Sequence, residues 1–362
     1  MLTNSGSVAL VRIQVRQPKK HLQTSSHFIP TFGLAYPRVL SPSSLGSLSD
    51  LGYTGLRPFY KEPRKIPAGA SEPTPSNYQK GAVMKDLDEA TILVTGATDG
   101  LGRRVALELA AKGATVLLHG RNPERLKIAL EDVRGKTGNE KSHSYLADFS
   151  SLGEVRELAE RVLSDHDRLD LLINNAGVIV RERKESEDGF ELTFAVNYLA
   201  HFLLTRLLLP LLRDSAPARI VNVASAGQSP VDFDDVMLER SYSGMSAYTQ
   251  SKLAQIMFTF ELAERLSETG VSVNALHPAS LMDTKMVLET FGRAMSSVQE
   301  GVEATVRLVA SPEVEGVTGR YFVGQREARA DRQAYDAQAR KRLWALSEEL
   351  CGPLLEPVTH RR

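Results

Sequence analysis

From about residue 88 onward, short β-branched or aliphatic runs alternate with longer segments whose apolar residues recur every three or four positions. The runs TILVT (91–95), ATVLLH (114–119), HSYLA (143–147), LDLLIN (169–174), ARIVNV (218–223), VSVNAL (271–276) and RYFV (320–323) have the length and residue types of buried strands. Between them GRRVALELAAKG, LGEVRELAERVLSDH and SKLAQIMFTFELAERLSETG carry a helical apolar period. Strict β-α alternation predicts parallel strands, right-handed crossovers and helices on both faces of one sheet. The predicted class is α/β, a doubly wound parallel sheet of about seven strands, with ligands at the carboxyl ends of the strands.

The pattern divides the chain. Residues 1–86 are rich in Ser, Pro, Gly and Leu, lack sustained periodicity and hold no acidic residue before Asp50, so they read as a largely disordered or loosely held extension. Acid-poor, Ser-rich text also describes an organelle import signal; the other readings are a flexible arm, or sequence upstream of a true start at Met84. Residues 87–330 form the patterned domain, and 331–362 contain an amphipathic helix, DRQAYDAQARKRLWALSEELCG, that docks on the core or on a partner subunit. The longest apolar stretch, FLLTRLLLPLL (202–212), is broken by Thr205, Arg206 and Pro210 and is too short for a bilayer, so no transmembrane segment is expected. Arg12 and Arg16 break up any secretory core. The expected location is cytoplasmic, with organelle import as the alternative.

Charge changes little in this picture. With 44 basic and 44 acidic residues the chain has no bias toward nucleic acid or an anionic membrane, and a small-molecule partner is the default. One cysteine, Cys351, excludes an intrachain disulfide and any multi-cysteine metal site. No metal site is expected.

The chemistry begins where the first strand runs into TGATDGLGRRVALELA. Gly96, Gly100 and Gly102, spaced G-x3-G-x-G, lie in the tight turn opening the first helix, where backbone amides can approach a pyrophosphate at the positive helix end. About twenty residues on, where many dinucleotide folds place an acid for the ribose hydroxyls of NAD, LLHGRN holds Arg121. A guanidinium there suits a 2′-phosphate, so NADP is expected before NAD; the plainer reading is an exposed loop arginine. Asp148 after the third strand and the NNAG turn (174–177) after the fourth fall at the same edge. Taken alone, Asp148 would be a helix cap, work that Ser150 could also do. Tyr248 and Lys252, in SAYTQSKLAQ, are four residues apart and share one helix face.

In order and separation, TGATDGLG, NNAG, the strand leading to Ser225, and YTQSK resemble the short-chain dehydrogenase/reductase family in its compact, Rossmann-fold form, over roughly 88–330. The helix SAYTQSKLAQIMFTFELAERL and the long Ser-to-Tyr insertion are similar to its retinol-dehydrogenase-like branch. The resemblance implies an oxidoreductase acting on CH–OH groups, moving hydride between NADP (or NAD) and a carbonyl or alcohol substrate, small or lipophilic. It implies that Tyr248 is the acid/base, that Lys252 supplies a cation and holds the nicotinamide ribose, and that Ser225 bonds the substrate oxygen. Asn197 matches the asparagine that holds a water leading from the lysine to solvent; otherwise it is a mid-helix polar residue bonding nearby backbone. The cofactor set implied is Gly96, Asp99, Gly100, Leu101 and Gly102 at the phosphates, Arg121 and Asn122 at the adenosine phosphate, and Asp148 and Phe149 beside adenine. Asn175, Ala176 and Gly177 lie under the ribose, and Pro278 and Leu281 cover the carboxamide. HPASLMDTKM departs from the family in Ala279 and in Asp283-Thr284, so contacts near Asp283 are not carried over.

Segments 226–247 and about 283–300 flank the reactive edge; the second could form a helical lid, though its Met and Phe spacing reads first as packing. A homodimer or homotetramer paired through the Tyr-Lys helix is implied by resemblance. A catalytically silent NADP-binding scaffold is the rival from another class, disfavoured by the complete set Asn197, Ser225, Tyr248 and Lys252. A sugar-nucleotide epimerase or dehydratase is disfavoured by the glycine spacing and the short text after the last strand.

Overall fold

The computed structural model describes residues 86–356, so the predicted extension lies almost wholly outside the described residues. Eight strands form one sheet in the order β3-β2-β1-β4-β5-β6-β7-β8. They are β1 Thr91–Val94, β2 Thr115–Gly120, β3 His143–Leu146, β4 Leu171–Asn174, β5 Ala218–Val223, β6 Val271–His277, β7 Arg320–Val323 and β8 Arg326–Glu327. All neighbours run parallel except β7 and β8, a two-residue antiparallel edge added to the seven expected strands. The order in which successive strands are added reverses between β1 and β4, which opens a crevice beyond Val94 and Asn174.

Alternation along each strand divides the core. Ile92 and Val94 face one layer with helices α1 (Gly100–Ala111), α2 (Pro123–Thr137) and α8 (Val298–Ala310), while Leu93 faces the other. That second layer holds α3 (Leu152–Asp165), α5 (Ala200–Asp214), α6 (Gly244–Arg265) and α9 (Ala337–Cys351). Three short elements complete the helices: α4 (Leu192–Phe194), a π-turn at Ala195–Leu199 that joins it to α5, and α7 (Lys285–Phe291).

Two strand ends predicted from the apolar runs are trimmed by side-chain hydrogen bonds. Thr95 leaves β1 because its hydroxyl oxygen receives the N–H groups of Asn175 and Ala176, at 2.8 and 2.9 Å. Asp170 stays outside β4 because its carboxylate receives Thr91 N–H at 2.8 Å and the Arg168 guanidinium. Ser151, rather than Asp148 or Ser150, caps α3.

From Leu192 to Asp214 the chain is helical for 23 residues, longer than the apolar run suggested, and by length and composition alone it is apolar enough to cross a membrane. Of its most apolar 18-residue window 83% is buried inside the fold, with Phe202, Leu203, Leu204 and Leu208 in the core. On α6, every residue from Gln250 to Ala263 is buried, so that stretch has no outward face left for pairing with a second chain. Trp344 of α9 lies against Phe258 of α6 and Phe202 of α5, with ring centroids 5.9 and 5.2 Å apart.

Candidate active site

The glycine turn sits where backbone crowding demands it. Gly96 has φ +66°, and a Cβ there would come within 2.8 Å of Ala176 Cα. A Cβ on Gly102 would lie 2.4 Å from both Asn175 Nδ2 and Gly96 O. The turn thus packs directly on the NNAG turn, bare of side chains, with the N-terminus of α1 behind it. Leu101 is buried beneath it. Thr284 closes the other side: a Cβ added to Gly100 would meet its methyl at 3.2 Å. Thr284 also caps α7, while Asp283 Oδ1 accepts Val298 N–H at 2.6 Å at the start of α8, which leaves Thr284 and not Asp283 next to the turn.

Asp99 caps α1 through Gly100 N–H (2.8 Å) and pairs with Arg125 of α2 at 2.7 Å. Arg125 is a cation at this edge that the sequence pattern did not single out. Asn122 caps α2 by accepting Arg125 N–H at 2.9 Å. Arg121, beside it at the end of β2, is exposed and makes no ion pair or hydrogen bond among the described residues. A glycine-lined phosphate cradle with an unpaired guanidinium at the neighbouring strand end fits a dinucleotide carrying an extra phosphate.

Asp148 accepts Ser150 N–H at 2.9 Å and remains partly exposed at the crevice. Phe149 is only 3% exposed; its ring stacks on His119 at 4.2 Å and meets His201 edge-on at 5.4 Å, so it is built into the crevice floor. His119 Nδ1 accepts Gly96 N–H at 3.2 Å, and Nε2 donates to Ala147 O at 3.0 Å. Burial pushes this histidine down to about 4, which keeps Nδ1 free to accept. Pro278 is buried at the end of β6, and Leu281 has φ +46°, a left-handed conformation that non-glycine residues hold only when packing imposes it.

The reactive end is assembled from β5, the π-turn and α6. Ser225 lies just past β5; its hydroxyl oxygen accepts Gly227 N–H at 3.1 Å, and its carbonyl is held by Tyr321 OH at 3.0 Å. The Ser225 hydroxyl faces the phenol of Tyr248 on α6 closely enough to act on its ionisation. Burial pushes the Tyr248 phenol above its ordinary value, and the Ser225 contact pulls it partly back. Lys252 lies one turn along, with Nζ 5.6 Å from the Tyr248 ring centroid and only 4% of the residue exposed. Burial lowers its ammonium from 10.5 to about 7.

Asn197 occupies the π-turn, which rotates its side chain off the regular helix face. Its Oδ1 accepts Val178 N–H (2.8 Å), and its Nδ2 donates to Val178 O (3.1 Å) and to Ser251 Oγ (3.0 Å). These partners come from the loop after β4 and from α6, not from neighbouring backbone. Gly177 is brought beside this group: a Cβ on it would lie 3.4 Å from Asn197 Oδ1 and 3.7 Å from Lys252 Nζ. Sequence reading missed His119, His201 and Gln255. The available signal was polar residues at helical spacing from the candidates, His201 four after Asn197 and Gln255 three after Lys252.

A doubly wound sheet with a phosphate cradle at its switch point, and a Ser-Tyr-Lys group at the same edge, defines a nicotinamide-dinucleotide-dependent oxidoreductase. The chain belongs to the short chain dehydrogenase family, whose model matches residues 90–293. It is similar to retinol dehydrogenase 13 of Mus musculus, 40% identical over 279 residues that cover 72% of this chain and 84% of that one. Retinol dehydrogenase 14 of Homo sapiens is 39% identical, covering 73% and 87%. Among solved structures, a short chain dehydrogenase from Shigella flexneri complexed with NADP aligns with TM-score 0.56 and 27% identity, covering 67% of this chain and all of that one. The protein is therefore an NAD(P)-using alcohol or carbonyl oxidoreductase with a small-molecule substrate.

Proposed function

We propose that the protein prefers NADP and interconverts a lipophilic aldehyde or ketone with its alcohol. The observation that carries the cofactor preference is the exposed, unpaired guanidinium of Arg121 at the end of β2, in the place where a carboxylate would select NAD. The Shigella flexneri relative was solved with NADP, in the same direction. The apolar substrate is supported by the lid: Met286, Leu288 and Phe291 on α7, with Met295 after it, are 36 to 66% exposed instead of packed into the core. The named relatives are retinol dehydrogenases, and retinal with longer-chain aldehydes heads the panel to assay.

In this reading the glycine turn, Arg121, the NNAG turn, Pro278, Leu281 and Thr284 would hold the dinucleotide, which when bound would supply or accept the hydride. Ser225 and Tyr248 bond the substrate oxygen, and Tyr248 passes it the phenolic proton or takes one from the alcohol. Lys252, with Nζ beside Gly177, steadies the charge on the phenol oxygen and fixes the ribose edge of the crevice. Asn197 locks the loop after β4 to α6, which fixes the distance between that crevice and Tyr248.

Arg121→Asp tests the cofactor preference. The ratio of kcat/KM for NADP over NAD should fall at least about tenfold, the loss of one charge-assisted phosphate contact; an unchanged ratio assigns Arg121 to the solvent.

A further inference from the structure

The ammonium of Lys252 is buried without a carboxylate. Its two hydrogen bonds in the fold go to neutral acceptors, Val223 O on β5 at 2.9 Å and Gln255 Oε1, one turn along α6, at 2.8 Å. The titratable groups facing it are Tyr248 on its own helix, His201 from α5 and His277 from β6. Gln255 is thus the only side-chain acceptor on this cation among the described residues, and the direction of one amide dipole decides how well the charge is tolerated.

That direction follows from the ammonium in front of it. Turned the other way, the amide would set N–H against N–H at the ammonium, so Oε1 faces Lys252 and Nε2 faces His201 Nδ1 at 3.3 Å. His201 in turn meets Asn197 O at 3.0 Å through Nδ1 and Thr95 Oγ1 at 3.1 Å through Nε2. Thr95 Oγ1 also receives Asn175 N–H and Ala176 N–H and donates to Ile173 O at 3.3 Å. The ring is neutral, in keeping with the burial that pushes it down to about 3, and adds no second positive charge behind the glutamine.

We propose that Gln255 is a positioning residue for Lys252: its amide oxygen holds Nζ toward Tyr248 and Gly177 and sets how readily the lysine carries its charge. The role in turnover rests on the reading of Lys252 given above, whereas the effect on the lysine itself does not.

The two are separated by titrating Lys252 in cofactor-free protein labelled with 13C at the lysine Cε, the signal assigned by its loss in Lys252→Met. The midpoint should fall by about one pH unit or more in Gln255→Leu and rise by as much in Gln255→Glu, which puts a counter-ion in the same place. The pH profile of kcat should move the same way in each variant, with KM for the carbonyl substrate changed less than about twofold. Midpoints in both variants that match the wild type overturn the proposal. If Gln255→Leu does not fold, Gln255→Glu and Gln255→Asn decide it, the shorter amide lowering the midpoint. Shifted midpoints together with undiminished turnover in Lys252→Met would uphold the effect of Gln255 on the lysine and refute the catalytic reading of Lys252.

Discussion

At the scale of single residues, the site is governed by desolvation more than by charge pairing. Tyr248 is pushed toward its neutral phenol by burial and Lys252 toward its neutral amine, so each charged form depends on a few close dipoles. For Tyr248 the dipole on hand is the Ser225 hydroxyl; for Lys252 it is Gln255 and the Val223 carbonyl. A phenol kept protonated suits donation to a carbonyl oxygen. Tyr248→Phe keeps the ring and removes only the hydroxyl. It should lower kcat by about a thousandfold while the NADPH dissociation constant, read from its fluorescence, stays within about twofold. Retained turnover would remove Tyr248 from the proton transfer.

At the scale of elements, two irregular pieces set the geometry. The π-turn at Ala195–Leu199 turns Asn197 away from the apolar stripe that fills the core, and Asn197 then ties together segments 19 and 54 residues away in sequence. The lid helix α7 is capped at both ends, by Thr284 and by Gly292 in the left-handed conformation, yet has no buried residue. It is tethered across the crevice by Arg181, whose guanidinium donates to Glu289 O at 3.1 Å. An apolar helix with no core contact gains most by covering an apolar ligand. Replacing Phe291 and Met286 together by Ser should raise KM for retinal or a long-chain aldehyde about tenfold, with KM for a two- or three-carbon aldehyde changed less than twofold. Equal effects on long and short substrates would place the lid outside the substrate path. Packing, the first reading of this Met and Phe spacing, leaves Met286 36% and Phe291 41% exposed.

At the scale of the whole molecule, three histidines are folded neutral into the crevice walls. His119, His201 and His277 are 3, 1 and 8% exposed and are pushed from 6.5 to about 4, about 3 and about 4 by burial. Because the unfolded chain takes up these protons first, stability is intact above 6.5 and falls as the pH drops from 6.5 toward 4. At about pH 5 each histidine costs on the order of 2 kcal/mol. Urea unfolding at about pH 7 and pH 5 should show this loss, and His119→Gln should lessen it. A free energy that does not fall between those pH values would mean that the histidines are not held neutral.

The amino-acid sequence by itself determined the doubly wound class, the seven parallel strands and the glycine turn. It also put Arg121, Ser225, Tyr248 and Lys252 on the same strand edge, and the family resemblance added Asn197. Periodicity is local, and crossover handedness turns a local order of elements into a global one. The tertiary structure alone decided what surrounds those residues. Phe149 floors the crevice by stacking on His119, Arg125 pairs with Asp99, Thr284 takes the place beside the glycine turn, and Gln255 faces Lys252 with His201 behind it. The reason is physical: desolvation and hydrogen-bond satisfaction depend on which groups meet from distant parts of the chain, such as Asn175 and Thr95, 80 residues apart, and neither leaves a periodic trace in the text.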